Sequence, residues 1–269
     1  MYIDSHCHLD KLDLSPYDNN FSAMLAAAFD RDISRLLCVS IDLEQFKGMY
    51  QLIQDQPKVF VSLGVHPLHV ENEAAIVSVQ SLLDGVKQHS KIVAIGETGL
   101  DYYYQSQTKE LQQQSFINHL CAADQLGMPV IVHTRDARED TLSLIRAHGG
   151  DSGGVLHCFT ESLAMAKAAL DMNYLISFSG IVTFRNAQEL RDVVKAIPLE
   201  NILIETDAPY LAPIPYRGKK NEPKYVVEVA QCIADLKGVS VEKVAEATSE
   251  NFYRLFSKAA QLDGIPSCG

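Results

Sequence analysis

Tyr2-Ile3-Asp4-Ser5-His6-Cys7-His8-Leu9-Asp10 opens the chain with the alternation of a short buried strand. A period of two puts Asp4, His6 and His8 on one side and Ile3, Ser5 and Cys7 on the other. Two imidazoles at one strand end form half of a divalent-metal site, because neutral imidazole is the commonest metal-ligating side chain. A bare His-x-His is equally the mark of a surface strand, so its meaning depends on what other segments bring to the same place.

Apolar runs recur along the chain at the interval of a βα unit. Strands are expected over residues 2–6, 35–40, 59–65, 92–97, 130–133, 155–157, 175–179 and 202–205, with amphipathic helical stretches between them, such as 21–31, 111–126, 163–172 and 187–196. Alternation of this kind implies a parallel sheet, either closed as a TIM-type (β/α)8 barrel or open and doubly wound. The strand ends decide between them. His6 and His8 end the first strand, His66 follows the third, Glu97 ends the fourth, His133 the fifth, His157 the sixth, and Glu205 with Asp207 the eighth. In a barrel these ends meet around one C-terminal rim, whereas in an open sheet they are strung out too far apart to cooperate. The expected fold is therefore α/β, a single TIM-type barrel spanning residues 1–262 with its metal site at the C-terminal rim. Further helices are expected over 223–236, 241–247 and 250–260, and residues 263–269 read as a loose tail.

Composition narrows the function classes. The 269 residues carry 23 Lys+Arg against 34 Asp+Glu, a formal charge of −11, which argues against a broad basic surface for duplex nucleic acid but permits a local phosphate contact. No apolar run reaches the roughly 20 residues that span a bilayer, and the N-terminus lacks the regions of a signal peptide. The expectation is a soluble, cytoplasmic protein with no membrane association and no obligate protein partner. Its six cysteines form no Cys-x-x-Cys pair and read as reduced, buried thiols. Cys7 and Cys158 adjoin the histidines, but alternation turns them to the opposite face.

His6, His8, Glu97, His133, His157 and Asp207 exceed the needs of one tetrahedral zinc and suit two divalent ions about 3.5–4 Å apart. Glu97, on the strand between the two histidine pairs, is the natural bridge. Asp207 is expected to bind one ion and take the proton of the attacking water, and Glu205, on the same face, to orient ligands from behind. Mixed imidazole and carboxylate ligands suit Zn, Mn or Co, and with added water Mg. His66, Arg135, Arg217 and Lys219 are candidates for holding a phosphate, and Tyr102, in the run Tyr102-Tyr103-Tyr104, for stacking on a base.

These blocks carry a resemblance. The opening segment, Gly96-Glu97-Thr98-Gly99-Leu100-Asp101, Pro129-Val130-Ile131-Val132-His133-Thr134-Arg135, Leu156-His157-Cys158-Phe159 and Glu205-Thr206-Asp207-Ala208-Pro209-Tyr210 resemble the signature blocks of the TatD family of metal-dependent deoxyribonucleases. The likeness runs nearly end to end, includes Gly180-Ile181-Val182-Thr183-Phe184, and is greatest to the YcfH-type branch. It implies an amidohydrolase-superfamily barrel that cleaves phosphodiester bonds in DNA, in some members as a 3′ to 5′ exonuclease, with metals on the six residues named above. Two departures stand out. Lys220-Asn221-Glu222-Pro223 replaces the Arg-Asn-Glu-Pro of many relatives, making a bidentate phosphate contact a point charge. Leu68 follows Pro67 where relatives have a second histidine, so His66 keeps its match while His69 falls one residue late. Two other classes compete with the nuclease reading: a metal-dependent amide or ester hydrolase acting on a small metabolite or aminoacyl-tRNA, and a binding protein built on a decayed catalytic barrel.

Overall fold

The computed structural model describes residues 1–266. Eight parallel strands pair in chain order: β1 (Tyr2–Cys7), β2 (Ile33–Cys38), β3 (Val59–Leu63), β4 (Ile92–Asp101), β5 (Val130–Arg135), β6 (Gly154–Leu156), β7 (Tyr174–Phe178) and β8 (Ile202–Ile204). The first seven helices fill the crossovers: α1 (Phe21–Phe29), α2 (Leu43–Ile53), α3 (Val79–Gln88), α4 (Lys109–Leu126), α5 (Arg138–His148), α6 (Leu163–Leu170) and α7 (Gln188–Ala196). Side chains cap several of them, as where Asn20 accepts the Ala23 N–H and Ser162 the Met165 N–H. No helix among the described residues is long and apolar enough to cross a membrane.

β8 and β1 close the ring beyond the regular ladder. Asp207 N–H donates to His6 O (2.9 Å) and His8 N–H to Ala208 O (2.8 Å). The buried Asp4 carboxylate accepts both the backbone N–H (2.9 Å) and the hydroxyl (2.5 Å) of Thr206. Burial pushes the Asp4 carboxyl up to about 8.

Apolar side chains form two layers. Ile3, Leu37, Phe60, Ile131, Val155 and Leu203 fill the barrel, plugged from below by Phe252 and Phe256. Leu36, Cys38, Val61, Val132, Ile176 and Ile204 face outward against the helices. Ile3 and Cys7 lie in opposite layers although four residues apart, which strict alternation forbids. The cause is a bulge: between Asp4 and Cys7, β1 advances three residues while β2 advances from Leu36 to Cys38. One extra residue flips every later side chain. Asp4 therefore leaves the face expected for it and turns to Thr206, while His6 and His8 reach the rim and Cys7 stays opposite. β4 carries a similar shift between Ile95 and Thr98, around Glu97. At that point Gly96 has φ +133°, and a Cβ there would lie 2.6 Å from Ile131 O, so only glycine fits.

The C-terminal segment departs from expectation in two places. After α8 (Val226–Lys237), α9 runs unbroken over Val241–Leu255 where two helices were expected, and α10 (Ser257–Leu262) follows. Thr248, between the two expected helices, bonds back through its hydroxyl to Val244 O (2.9 Å) and so stays within the helix. The expected loose tail is fastened at its start: Asp263 accepts two bonds from Arg35 (2.8 and 3.0 Å) and one from the Tyr253 hydroxyl (2.7 Å). Residues 267–269 lie outside the described part.

Candidate metal centre

Each strand end delivers its ligand-type side chain to one spot. His6 Nε2 lies 3.4 Å from His8 Nε2, and both face Glu97 Oε2, at 3.4 and 3.9 Å. Asp207 Oδ1 adds a fourth group, 3.4 Å from His8 Nε2 and 3.7 Å from His6 Nε2. The other oxygen, Glu97 Oε1, faces His157 Nε2 at 2.7 Å and His133 Nδ1 and His66 Nε2 at 3.3 Å each. The two oxygens of Glu97 thus address two separate sets of imidazoles. All six residues expected as ligands come together, and Glu97 stands between the pairs.

The hydrogen bonds behind each imidazole set which nitrogen it presents. His8 Nδ1 donates to Val39 O (3.1 Å), leaving Nε2 free as a ligand atom. His133 Nε2 meets Asp101 Oδ2 at 3.0 Å, so this ring presents Nδ1. His157 Nδ1 lies 3.4 Å from Glu205 Oε1, and its ring stacks on His6 with centroids 3.9 Å apart. His66 differs from the rest. Its Nδ1 accepts the Leu68 N–H (3.1 Å), so in the neutral ring Nε2 carries the proton and points it at Glu97. In that tautomer His66 is a donor toward the cluster, unlike the imidazoles expected as ligands.

The electrostatics are those of a buried polar knot. Burial opposes charge on Glu97, but His157 and His66 outweigh it and hold the carboxyl well below its ordinary range. His157 is correspondingly pushed well above its ordinary value, against burial, by Glu97 and Glu205. Asp207 likewise overcomes burial to raise His8, and is itself lowered despite its own burial. Burial and the nearby His157 lower His6, and burial lowers His66 to about 4.

The residues fit divalent ions. His6 Nδ1, both nitrogens of His157 and both oxygens of Glu205 are buried without a hydrogen-bond partner among the described residues. His157 Nε2 and Glu97 Oε1 are close but misaligned for a hydrogen bond, as two groups sharing a cation would be. His6, His8 and Glu97 form one cluster of metal-ligand atoms, His66, Glu97 and His133 a second, and His6, His157 and Glu205 a third.

Around the centre the substrate-side candidates divide. The Arg135 guanidinium sits over the rings of Tyr103 (4.2 Å) and Tyr104 (4.6 Å) at the rim. Tyr102 does not offer the stacking face expected of it: its hydroxyl donates to Asp140 (2.7 Å) and Lys109 covers its ring at 4.3 Å. The exposed rings are Tyr103 and Tyr104. Arg217 lies over Phe184 at 3.9 Å, Lys219 and Lys220 are exposed, and His69 turns to Asp42 Oδ2 at 3.4 Å. Asn221 is buried and donates to Thr206 O (2.8 Å) and Tyr210 O (2.6 Å), bracing the loop after β8.

Sequence reasoning missed Asp101 as the partner of His133. The signal was present, because Glu97, Gly99 and Asp101 share one face by alternation beyond the bulge.

The family model described as TatD related DNase matches residues 3–257. The chain is 48% identical over 265 residues to a protein of Escherichia coli K12 named uncharacterized metal-dependent hydrolase YcfH, covering 98% of each. It is 38% identical over 260 residues to the uncharacterized metal-dependent hydrolase YabD of Bacillus subtilis 168, covering 95% of this chain and 99% of that one. The crystal structure of the TatD homologue YJJV from Escherichia coli K12 matches with a TM-score of 0.87 at 28% identity, over 95% of this chain and 98% of that one. A likeness of that extent, to relatives named for metal-dependent hydrolysis, meets a chain whose own strand ends build such a centre: it belongs to the TatD family of metal-dependent hydrolases.

Proposed function

We propose that the protein is a two-metal deoxyribonuclease that hydrolyses phosphodiester bonds at the ends of single-stranded DNA, with 3′ to 5′ polarity. The observation that carries the reading is the placement of the Glu97 carboxylate, whose Oε2 faces His6 and His8 while Oε1 faces His133 and His157. His6, His8, Glu97 and Asp207 would hold one ion, and Glu97, His133 and His157 the other, with Zn, Mn, Co or Mg as candidates. Bound there, such ions lower the pKa of a water and polarise the phosphoryl oxygen.

The chain's own groups supply the rest. Asp207, kept ionised by His8 and His6, accepts the proton of the attacking water. His66 is neutral above about pH 4 and offers its Nε2–H to a non-bridging phosphate oxygen. Arg135, at the end of β5 beyond His133, lends a guanidinium to the same phosphate. Asp101 holds His133 in its ligand tautomer, and Glu205 stands 3.4 Å behind His157 Nδ1. The free buried thiols Cys7 and Cys38 suit a reducing, cytoplasmic setting.

The test is a metal assay on the purified protein, followed by incubation of the metal-loaded form with end-labelled single-stranded DNA, with and without EDTA. The expected result is a ladder shortening from the 3′ end, abolished by EDTA and by Asp207→Asn, with metal still bound in the variant. Bound metal with no DNA cleavage would overturn the nuclease reading in favour of an amide or ester hydrolase. An unchanged rate in Asp207→Asn would remove it as the base.

A further inference from the structure

The barrel mouth leaves aromatic rings in water at two places. Tyr103 and Tyr104, each 59% exposed, follow β4, and Tyr210, 54% exposed, lies in the loop after β8. In a ring of eight strands paired in chain order, β4 and β8 stand opposite one another, so these rings flank the metal centre from two sides. Both are tied to it. Tyr104 N–H donates to Asp101 Oδ1 (2.8 Å), whose other oxygen meets His133 (3.0 Å). Tyr210 N–H donates to Asp207 O (2.9 Å), and its ring stands edge-on to His8 at 6.1 Å between centroids.

Charge at the mouth runs against the rest of the molecule. On a chain of formal charge −11, Arg135 lies across Tyr103 and Tyr104, while Arg217, Lys219 and Lys220 are exposed on the loop beyond Tyr210. Alternation along β5 puts Arg135 on the same face as His133, with Thr134 turned away to the Thr141 hydroxyl. Exposed aromatic faces interleaved with cations match a polyanion whose units carry flat rings, which is a single-stranded nucleic acid.

Resting on the nuclease reading, we propose that Tyr103, Arg135 and Tyr104 on one side and Tyr210 on the other are two base-stacking stations, so that a single strand crosses the mouth with one nucleobase stacked on each side of the scissile phosphate. Duplex bases are already stacked on each other and cannot use the stations. The preference for single strands then arises from the rim, and the metal centre need not discriminate.

The experiment compares metal-loaded protein on oligodeoxythymidylate and on a strand of equal length built from abasic tetrahydrofuran residues, which keeps every phosphate and removes every base. The thymidylate should show a KM lower by about tenfold. The double variant Tyr103→Ala/Tyr104→Ala and the single variant Tyr210→Ala should each shrink that ratio through KM, while Tyr210→Phe, which keeps a ring, retains it. Strands with one abasic residue, placed 5′ or 3′ of the scissile phosphate, should each be insensitive to one variant and sensitive to the other. Equal KM for the two polymers in the parent protein, or an undiminished ratio in both alanine variants, would overturn the stations while leaving the nuclease standing. Cleavage of neither polymer would overturn the nuclease reading, and the stations with it.

Discussion

At the scale of single residues, Glu205 shows how one buried group can govern a metal centre without needing to touch an ion. Its carboxylate is fully buried, lies 3.4 Å from His157 Nδ1, and shares a cluster with His6. His6 Nδ1, His157 Nδ1 and both Glu205 oxygens have no hydrogen-bond partner among the described residues. The two rings stack in parallel, and a proton held between Glu205 and His157 Nδ1 would leave that ring's Nε2 to face the centre. Glu205→Gln keeps the shape but can accept through only one oxygen. Metal affinity, read by competition against a chelator, should fall about 10- to 100-fold, the usual effect of losing such a partner. An unchanged affinity would show that packing alone orients the rings. Asp101→Asn should act in the same direction through His133.

At the scale of elements, the side chain of His119 joins α4 to the loop after β3. His119 is fully buried; its Nδ1 donates to Ser115 O (2.7 Å), and its Nε2 accepts the N–H of Val65 (3.0 Å), the residue before His66. Burial lowers His119 from the ordinary 6.5 to about 4. As pH falls, the unfolded chain takes up this proton near 6.5 and the folded chain only near 4. The contribution of neutral His119 is therefore complete above pH 6.5 and is lost progressively down to about 4, by roughly 2 kcal/mol at pH 5. Urea unfolding at pH 7 and pH 5 should show the parent losing about that much more stability than His119→Gln, and parallel losses would refute the assignment. Such links mark the limit of what the sequence reveals. The ligand set was legible because each member stands at the end of an apolar run, where period two and strand order place it without knowledge of packing. The bulges in β1 and β4 were not, since one extra residue leaves no trace in composition and appears only when neighbouring strands set the register. The continuity of α9 was hidden similarly, because the break expected at residues 248–249 is bridged by the Thr248 hydroxyl, which bonds back to Val244 O.

At the scale of the whole molecule, the distribution of charge sets how a nucleic acid can be held. The basic groups proposed to meet the strand are few: Arg135 at the end of β5, and Arg217, Lys219 and Lys220 on the loop after β8. Elsewhere some cations are paired, as Arg31 with Glu228 and Arg35 with Asp263, and the excess charge is negative. A strand held by these four groups displaces counterions from about four phosphates, and the acidic excess of the chain repels the rest. For single strands each neutralised phosphate contributes about −0.7 to the slope of log affinity against log salt, so the slope should be no steeper than about −3. Measured as fluorescence anisotropy of a labelled oligodeoxythymidylate on metal-loaded Asp207→Asn, across a KCl series, the affinity should fall gently and lengthening the strand beyond a few nucleotides should not steepen it. A slope of −5 or more, growing with strand length, would mean that the chain grips nucleic acid along a surface outside the barrel mouth. A shallow slope leaves stacking and the metal centre as the main sources of affinity, in keeping with a fold that gathers its functional groups at one rim.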